Sequence, residues 1–150
     1  MKKAIVLTAT TLALFGTYTV ATPFSQPNVV QASSKKYKAV NKDLKKQLKQ
    51  DKSYAKSDPT NYGYAKYIES IRYTGNSDIT VQVNGAFKDI DDDIKTDVMN
   101  QVQGLAKMVL LNDGKISGDD ASEGLVVLIN NRKNSIGTSK ALNHKEYSWN

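Results

Sequence analysis

Residues 79–129 read ITVQVNGAFKDIDDDIKTDVMNQVQGLAKMVLLNDGKISGDDASEGLVVLI, and the other segments of the chain are expected to pack around them. Apolar and polar residues alternate over Ile79–Val83, which is typical of a strand with one buried face. A long amphipathic segment follows from Asp91, and Gly124–Asn130 returns to an apolar run. This order predicts a helix packed between two strands of one sheet.

The amphipathic segment has the clearest periodicity in the chain. Its apolar residues follow spacings of four, four, three and four: Ile94, Val98, Val102, Leu105 and Val109. Such a stripe predicts a helix with one face in the core. Asp91 is the expected N-cap, because its carboxylate can accept from the free amides of the first turn. Gly114 is the expected stop.

Strand-like segments lie on both sides of this helix. Tyr64–Thr74 and Ile79–Val83 are joined by the tight connection Gly75–Asp78, which predicts a β-hairpin. Gly124–Asn130 and Ser135–Leu142 are expected to form a second hairpin. The sequence therefore predicts an α+β domain with a four-stranded, largely antiparallel sheet, the element order α-β-β-α-β-β, and the central helix on one face.

The second face of this sheet is expected to be covered as well. Gly124–Asn130 is apolar at consecutive positions, a pattern that favours a strand buried on both sides. An earlier segment, Tyr37–Lys56, carries a narrow stripe formed by Val40, Leu44 and Leu48. We therefore expect this helix to cover part of the second face.

The amino-terminal residues are expected to direct export. Lys2 and Lys3 precede the uncharged apolar run Ala4–Ala21, and a polar stretch then ends at Ala32. This pattern is typical of a secretory signal peptide, with an uncleaved membrane anchor as the alternative. The predicted organisation is a signal peptide at 1–32, a basic helical arm at 33–57 and an α+β domain at 58–150. The chain has no cysteine, which excludes disulfides and a cysteine-linked lipid anchor.

Charge is unevenly distributed along the chain. Residues 33–56 hold nine lysines against two aspartates, whereas residues 57–150 hold ten lysines and arginines against thirteen acids. A basic arm on an exported protein favours anionic wall polymers or a membrane surface as partners, and no nucleic acid is expected. An ordinary solvated face is the alternative. The candidate binding residues are Lys42, Lys45, Lys46, Lys49 and Lys52.

One turn after the central helix resembles part of a calcium loop. Asn112–Ser117 (NDGKIS) shares an Asp-Gly-x-Ile core with the EF-hand, but Val109 and Leu111 fall where the first two ligands belong. A helix end followed by a capped turn explains the same residues, so we predict no metal and no cofactor. The weak candidates for a calcium-stabilised module are Asp113, Ser117, Asp119, Asp120 and Glu123.

Few residues are suited to catalysis. His144 is the one histidine, and no nucleophile motif lies near it. We assign no catalytic residue, and a carboxylate-dependent hydrolase of wall glycan is the enzymatic alternative. A second candidate surface is a tyrosine-rich patch that favours either sugar stacking or ordinary strand packing. Its members are Tyr54, Tyr62, Tyr64, Tyr67 and Tyr73.

Three segments resemble those of small exported proteins of Gram-positive, lactic-acid-type bacteria. They are NGAFKDIDDDIKTDV (84–98), LNDGKIS (111–117) and SKALNHKEYSW (139–149). The resemblance implies a secreted or cell-wall-associated protein with an α+β domain. The expected function is that of a non-enzymatic envelope or extracellular binding protein for an unidentified protein or glycan ligand. Oligomeric state is left open.

Overall fold

A computed structural model of the chain describes residues 35–150, so the predicted signal peptide lies outside the described residues. The helices within this range are α1 (Lys38–Tyr54), α2 (Pro59–Tyr62), α3 (Asp92–Asn112) and α4 (Gly118–Glu123). The strands are β1 (Ile68–Gly75), β2 (Asp78–Val83), β3 (Val126–Asn131), β4 (Asn134–Ser139) and β5 (Tyr147–Trp149). Short 3₁₀ turns at Gly63–Tyr67 and Gly85–Asp89 precede β1 and α3. The predicted α+β class is confirmed.

The sheet has five strands in the order β1-β2-β3-β4-β5, with β2 and β3 parallel and the other neighbours antiparallel. The prediction of four strands was wrong by one, because the three-residue β5 is too short to show an alternating pattern. The parallel pair follows from the crossover through α3, which carries the chain back to the end of the sheet where β2 began. The sheet is therefore mixed, not uniformly antiparallel.

Helix α3 supplies the largest share of the core. Asp91 stands at its N-cap as expected, but the Asp91 side chain accepts no capping hydrogen bond. Asp92 and Asp93 fill the first turn, where the positive end of the helix dipole favours carboxylates. The buried residues of α3 are Val98, Met99, Val102, Gln103, Leu105, Ala106, Val109 and Leu110.

Helix α1 packs beside α3 on the same face of the sheet, so the expectation that α1 covers the opposite face was wrong. Val40, Leu44 and Leu48 are buried and belong to the one core cluster. The Asn41 side chain bonds the backbone of Tyr73 in edge strand β1 through both of its polar atoms. This contact holds α1 along the edge of the sheet.

The opposite face of the sheet is open among residues 35–150. Paired positions across the five strands place one row of side chains there: Arg72, Thr80, Leu128, Thr138 and Ser148. Leu128, in the central strand of this row, is 50% exposed. The interpretation of β3 as a strand buried on both faces was therefore wrong, because Leu128 is an apolar residue on the solvent side.

Candidate functional site

The strongest candidate site is the outer surface of α1. Val40, Leu44, Leu48 and Asp51 follow spacings of four, four and three residues and are buried. Because an α-helix has 3.6 residues per turn, these positions form one inward stripe and leave the rest of the circumference to solvent. The apolar stripe therefore decides which side chains α1 presents outward.

The outward residues of α1 form a face of one charge, which we call the lysine face. Lys38, Lys42, Lys45, Lys49 and Lys52 follow spacings of four, three, four and three, with Lys46 beside them. All six are exposed. Such spacing confines them to roughly a third of the helix circumference. The structure thus brings the five candidate lysines and Lys38 together on one surface.

No acid of residues 35–150 forms an ion pair with this face, although Asp43 lies exposed on the same helix. The ion pairs within residues 35–150 are Lys95–Asp92 and Lys140–Glu146, and neither involves α1. Like charges three or four residues apart on a helix destabilise it by about 0.2–0.5 kcal/mol per pair. The lysine face therefore carries a cost in folding that no described contact repays.

Two polar contacts fix the rotation of α1 about its axis. The Asp51 carboxylate is 6% exposed, accepts from the Tyr64 hydroxyl, and accepts from Gln47 Nε2 at 3.0 Å. Burial is the main reason that the pKa of the Tyr64 hydroxyl is raised, and the hydrogen bond to Asp51 and the charge of Asp51 raise it further. Tyr64 therefore stays a neutral donor. Asn41 forms the second contact, and together they hold the lysine face outward.

The weak metal candidates are dispersed by the fold. Ser117 and Asp120 form a capping box at the start of α4, with Asp120 Oδ2 accepting from Ser117 N at 2.8 Å and from Ser117 Oγ at 2.7 Å. The pKa of the Asp120 carboxyl is lowered, chiefly because it accepts a hydrogen bond from the Ser117 backbone N–H. Asp113 lines a cleft between α1 and α3, and Glu123 lines another cavity beside His144. Among residues 35–150, no three acid or histidine side chains are grouped as a metal site requires.

His144 lies at an open cavity of about 400 Å³ that Ser122 and Glu123 also line. Its Nδ1 is 3.0 Å from the Gly124 carbonyl oxygen, so the ring is anchored to the backbone. The Ser122 hydroxyl donates to the Gly118 carbonyl at 2.9 Å. Among residues 35–150, no hydrogen bond joins the side chains of His144, Ser122 and Glu123 to one another, since the histidine and the serine bond the backbone.

The tyrosine-rich patch does not form one surface. Tyr64 and Tyr73 are buried in the core, and Tyr73 packs edge-on against Tyr37 with ring centroids 4.9 Å apart. Tyr67 packs against Phe87, whereas the rings of Tyr54 and Tyr62 pack against each other with centroids 5.3 Å apart. Most of these rings therefore serve packing.

Sequence reasoning missed Gln103, the polar residue on which three segments converge. It is 2% exposed in α3. Its Oε1 accepts from Leu125 N at 2.9 Å, and its Nε2 donates to Tyr147 Oη at 2.7 Å and to the His144 carbonyl. A lone amide on an otherwise apolar stripe is the signal that indicates such a buried contact, because buried polar groups require partners.

Comparisons with protein families, with characterised proteins and with solved structures find no match to this chain. Between Lys35 and Asn150, no helix combines the length and apolarity needed to cross a bilayer.

Proposed function

We propose that the chain is an exported, non-enzymatic binding protein that the lysine face holds at an anionic surface of the cell envelope. The observation that carries this proposal is a surface of six exposed lysines on one helix, with no carboxylate of residues 35–150 paired to any of them. A fold alone has no need of such a surface. A partner rich in phosphate would supply the missing negative charge.

The shared chemistry of the partner is a dense row of phosphates. Lysine recognises phosphate as a point charge and does not require one fixed geometry, so a mobile polymer or a layer of lipid head groups suits this face. Each lysine near an anionic lipid surface contributes about 1 kcal/mol. Five lysines acting together therefore suffice for retention at low salt, although each contact is weak.

The test compares two variants of equal charge. In the first, the candidate lysines Lys42, Lys45, Lys46, Lys49 and Lys52 are changed to Gln. In the matched control, five exposed and dispersed lysines are changed to Gln: Lys66, Lys88, Lys115, Lys133 and Lys145. Binding is measured by co-sedimentation with phosphatidylglycerol–phosphatidylcholine vesicles, and separately by titration with long-chain polyphosphate.

The first variant is expected to lose most of its binding and the control to retain most of it. Binding by the unchanged protein should weaken as salt rises, since the Debye length shrinks to about 8 Å at physiological ionic strength. Retention on vesicles but not on polyphosphate would identify head groups as the source, and the reverse result would identify a polymer. Equal loss in both variants would refute a localised site, because net charge alone would then explain retention.

A further inference from the structure

The free edge of β1 offers a second surface, which shares Lys45 with the lysine face. Asn41 Oδ1 accepts from Tyr73 N at 2.7 Å, and Asn41 Nδ2 donates to the Tyr73 carbonyl at 3.1 Å. These two bonds are those that a neighbouring strand would make, so the Asn41 amide stands in for a peptide group. The backbone groups of Tyr73 therefore point away from β2.

Ile71 lies two residues before Tyr73 in β1, so its backbone groups also point away from β2. In an antiparallel pair, every second residue turns both its N–H and its C=O away from its neighbour. Tyr73 opposes Ile79 and Ile71 opposes Val81, so Ile71 has the parity of Tyr73. Within residues 35–150, no side chain or loop backbone bonds the N–H or C=O of Ile71. Two ladder groups are thus left available beside the position that Asn41 occupies.

A groove of about 370 Å³ lies at this point between α1 and β1. Its size is within the range of protein ligand pockets, about 300–1,000 Å³. Asn41, Lys45 and Leu48 line it from α1, and residues 69–72 line it from β1. A helix beside a free strand edge is an arrangement that accepts an extended peptide as an added strand.

The side chains around the groove determine which peptide fits. An added strand would pair with Ile71 and place the side chain opposite Ile71 against α1, near Leu48. Its two neighbours would project on the open face of the sheet, one of them beside Arg72. Space beside α1 favours a small or apolar side chain, and the exposed Arg72 favours an acidic one.

We propose that this groove binds an extended acidic peptide, which pairs with the backbone of Ile71 and places a carboxylate next to Arg72. Charge complementarity selects this occupant, because Arg72 and Lys45 flank the groove against the single carboxylate of Glu69, and the lysine face continues along the same helix. Glu69 lies at one end and Arg72 at the other, so the acidic residue of the peptide is directed toward Arg72. This site does not depend on the lysine face being an envelope anchor.

The test uses a fluorescein-labelled peptide of about seven residues that alternates aspartate with alanine, since alternate residues of a strand share a face. Amide hydrogen exchange of the full mature chain is followed by NMR with and without the peptide. The Ile71 amide is expected to become protected, whereas the Arg72 amide, already paired with Thr80, should change little. A peptide of the same sequence with methylated backbone nitrogens should bind at least tenfold more weakly.

Variants separate the groove from general charge. Arg72→Glu should weaken peptide binding about tenfold, because it replaces a favourable cross-strand pair with a repulsive one. Lys133→Glu, the same change of charge in the β3–β4 turn, is the control and should have a much smaller effect. Polyphosphate has no backbone amides and should not protect Ile71.

Any of the following results would overturn the proposal. The first is no peptide binding at millimolar concentration. The second is binding without protection of Ile71, or equal binding by the methylated peptide. The third is protection of Ile71 in the absence of peptide that rises with protein concentration, since it would show that the occupant of this edge is a second copy of the chain.

Discussion

Helices α1 and α3 pack on the same face of the sheet but differ in how fully the fold explains their residues. Helix α3 buries eight side chains, and its first turn holds Asp92 and Asp93, where the helix dipole stabilises them. Helix α1 buries four and has no acid in its first turn. Its lysines run along its whole length.

The difference concerns the charged residues. In α3, Asp92 is paired with Lys95 at 2.9 Å, and Asp92 and Asp93 lie in the first turn, where the helix dipole favours carboxylates. In α1, the six lysines repel one another and no acid of residues 35–150 forms an ion pair with them. Folding explains the eight buried residues of α3 and the inner stripe of α1, but it does not explain the row of lysines on the outer side of α1. The outer half is therefore where function should be sought.

Removal of the buried polar contact that Gln103 of α3 makes should have the largest effect on stability. Gln103→Ala leaves Leu125 N and Tyr147 Oη without their partner, and each buried unsatisfied group costs about 1–3 kcal/mol. We expect the free energy of unfolding to fall by about 3 kcal/mol in urea denaturation.

Gln101→Ala is the control for this change. Gln101 is exposed on the same helix, so its removal should alter stability by less than about 0.5 kcal/mol. A loss at Gln103 no larger than that at Gln101 would show that the three segments are held together by apolar packing alone.

Removal of the hydrogen bond between Tyr64 and Asp51 of α1 should have a smaller effect on stability, and this effect should depend on pH. Tyr64→Phe removes the hydroxyl that donates to the buried Asp51 carboxylate, which should cost about 2 kcal/mol near pH 7. Because burial and Asp51 raise the pKa of Tyr64, the unfolded chain ionises first as pH rises above the ordinary tyrosine value of about 10. The unchanged protein then loses stability that the variant does not lose.

The difference in unfolding free energy between the unchanged protein and the Tyr64→Phe variant should therefore narrow between pH 8 and pH 11, as measured by urea denaturation at each pH. Tyr62→Phe, at a half-buried ring beside Tyr54, is the matched control and should show no such narrowing. A gap that stays constant over this range would contradict the assigned role of Tyr64.

These contacts also show where sequence reasoning ends. Periodicity predicts α3 and β2 well, because both bury a regular apolar pattern, and the α+β class follows from their order. The exception is Ile94, the first residue of the predicted stripe, which is 46% exposed. Periodicity does not predict which face α1 covers. The structure places α1 in the same core as α3 and joins it to β1 through Asn41 and the backbone of Tyr73, which lie 32 positions apart in the sequence.

The candidate site divides in the same way. The spacing of the lysines is a local property, so the sequence predicts the lysine face. The groove beside β1 is not local, since it arises only when β1 becomes an edge strand with α1 beside it. No motif in either segment records that arrangement, and only the assembled sheet reveals it.

The smallest expected effect is a gain in stability, and it bears most directly on the two helices. Lys49 has lysines three and four residues before it and three after it, at positions 46, 45 and 52. Lys49→Gln removes these repulsions with little change in helix propensity, so unfolding free energy should rise by about 0.5 kcal/mol at low salt. High salt should abolish the gain because it screens exposed charges.

Lys107→Gln in α3 is the matched control, because no charged residue lies three or four positions from Lys107. The unfolding free energy of the Lys107→Gln variant should equal that of the unchanged protein at both low and high salt. If Lys49→Gln were neutral or destabilising at low salt, the lysine face would carry no cost in folding. Repulsion among the lysines would then give no physical reason to expect an anionic partner. The fold would explain the residues of α1 as well as it explains those of α3.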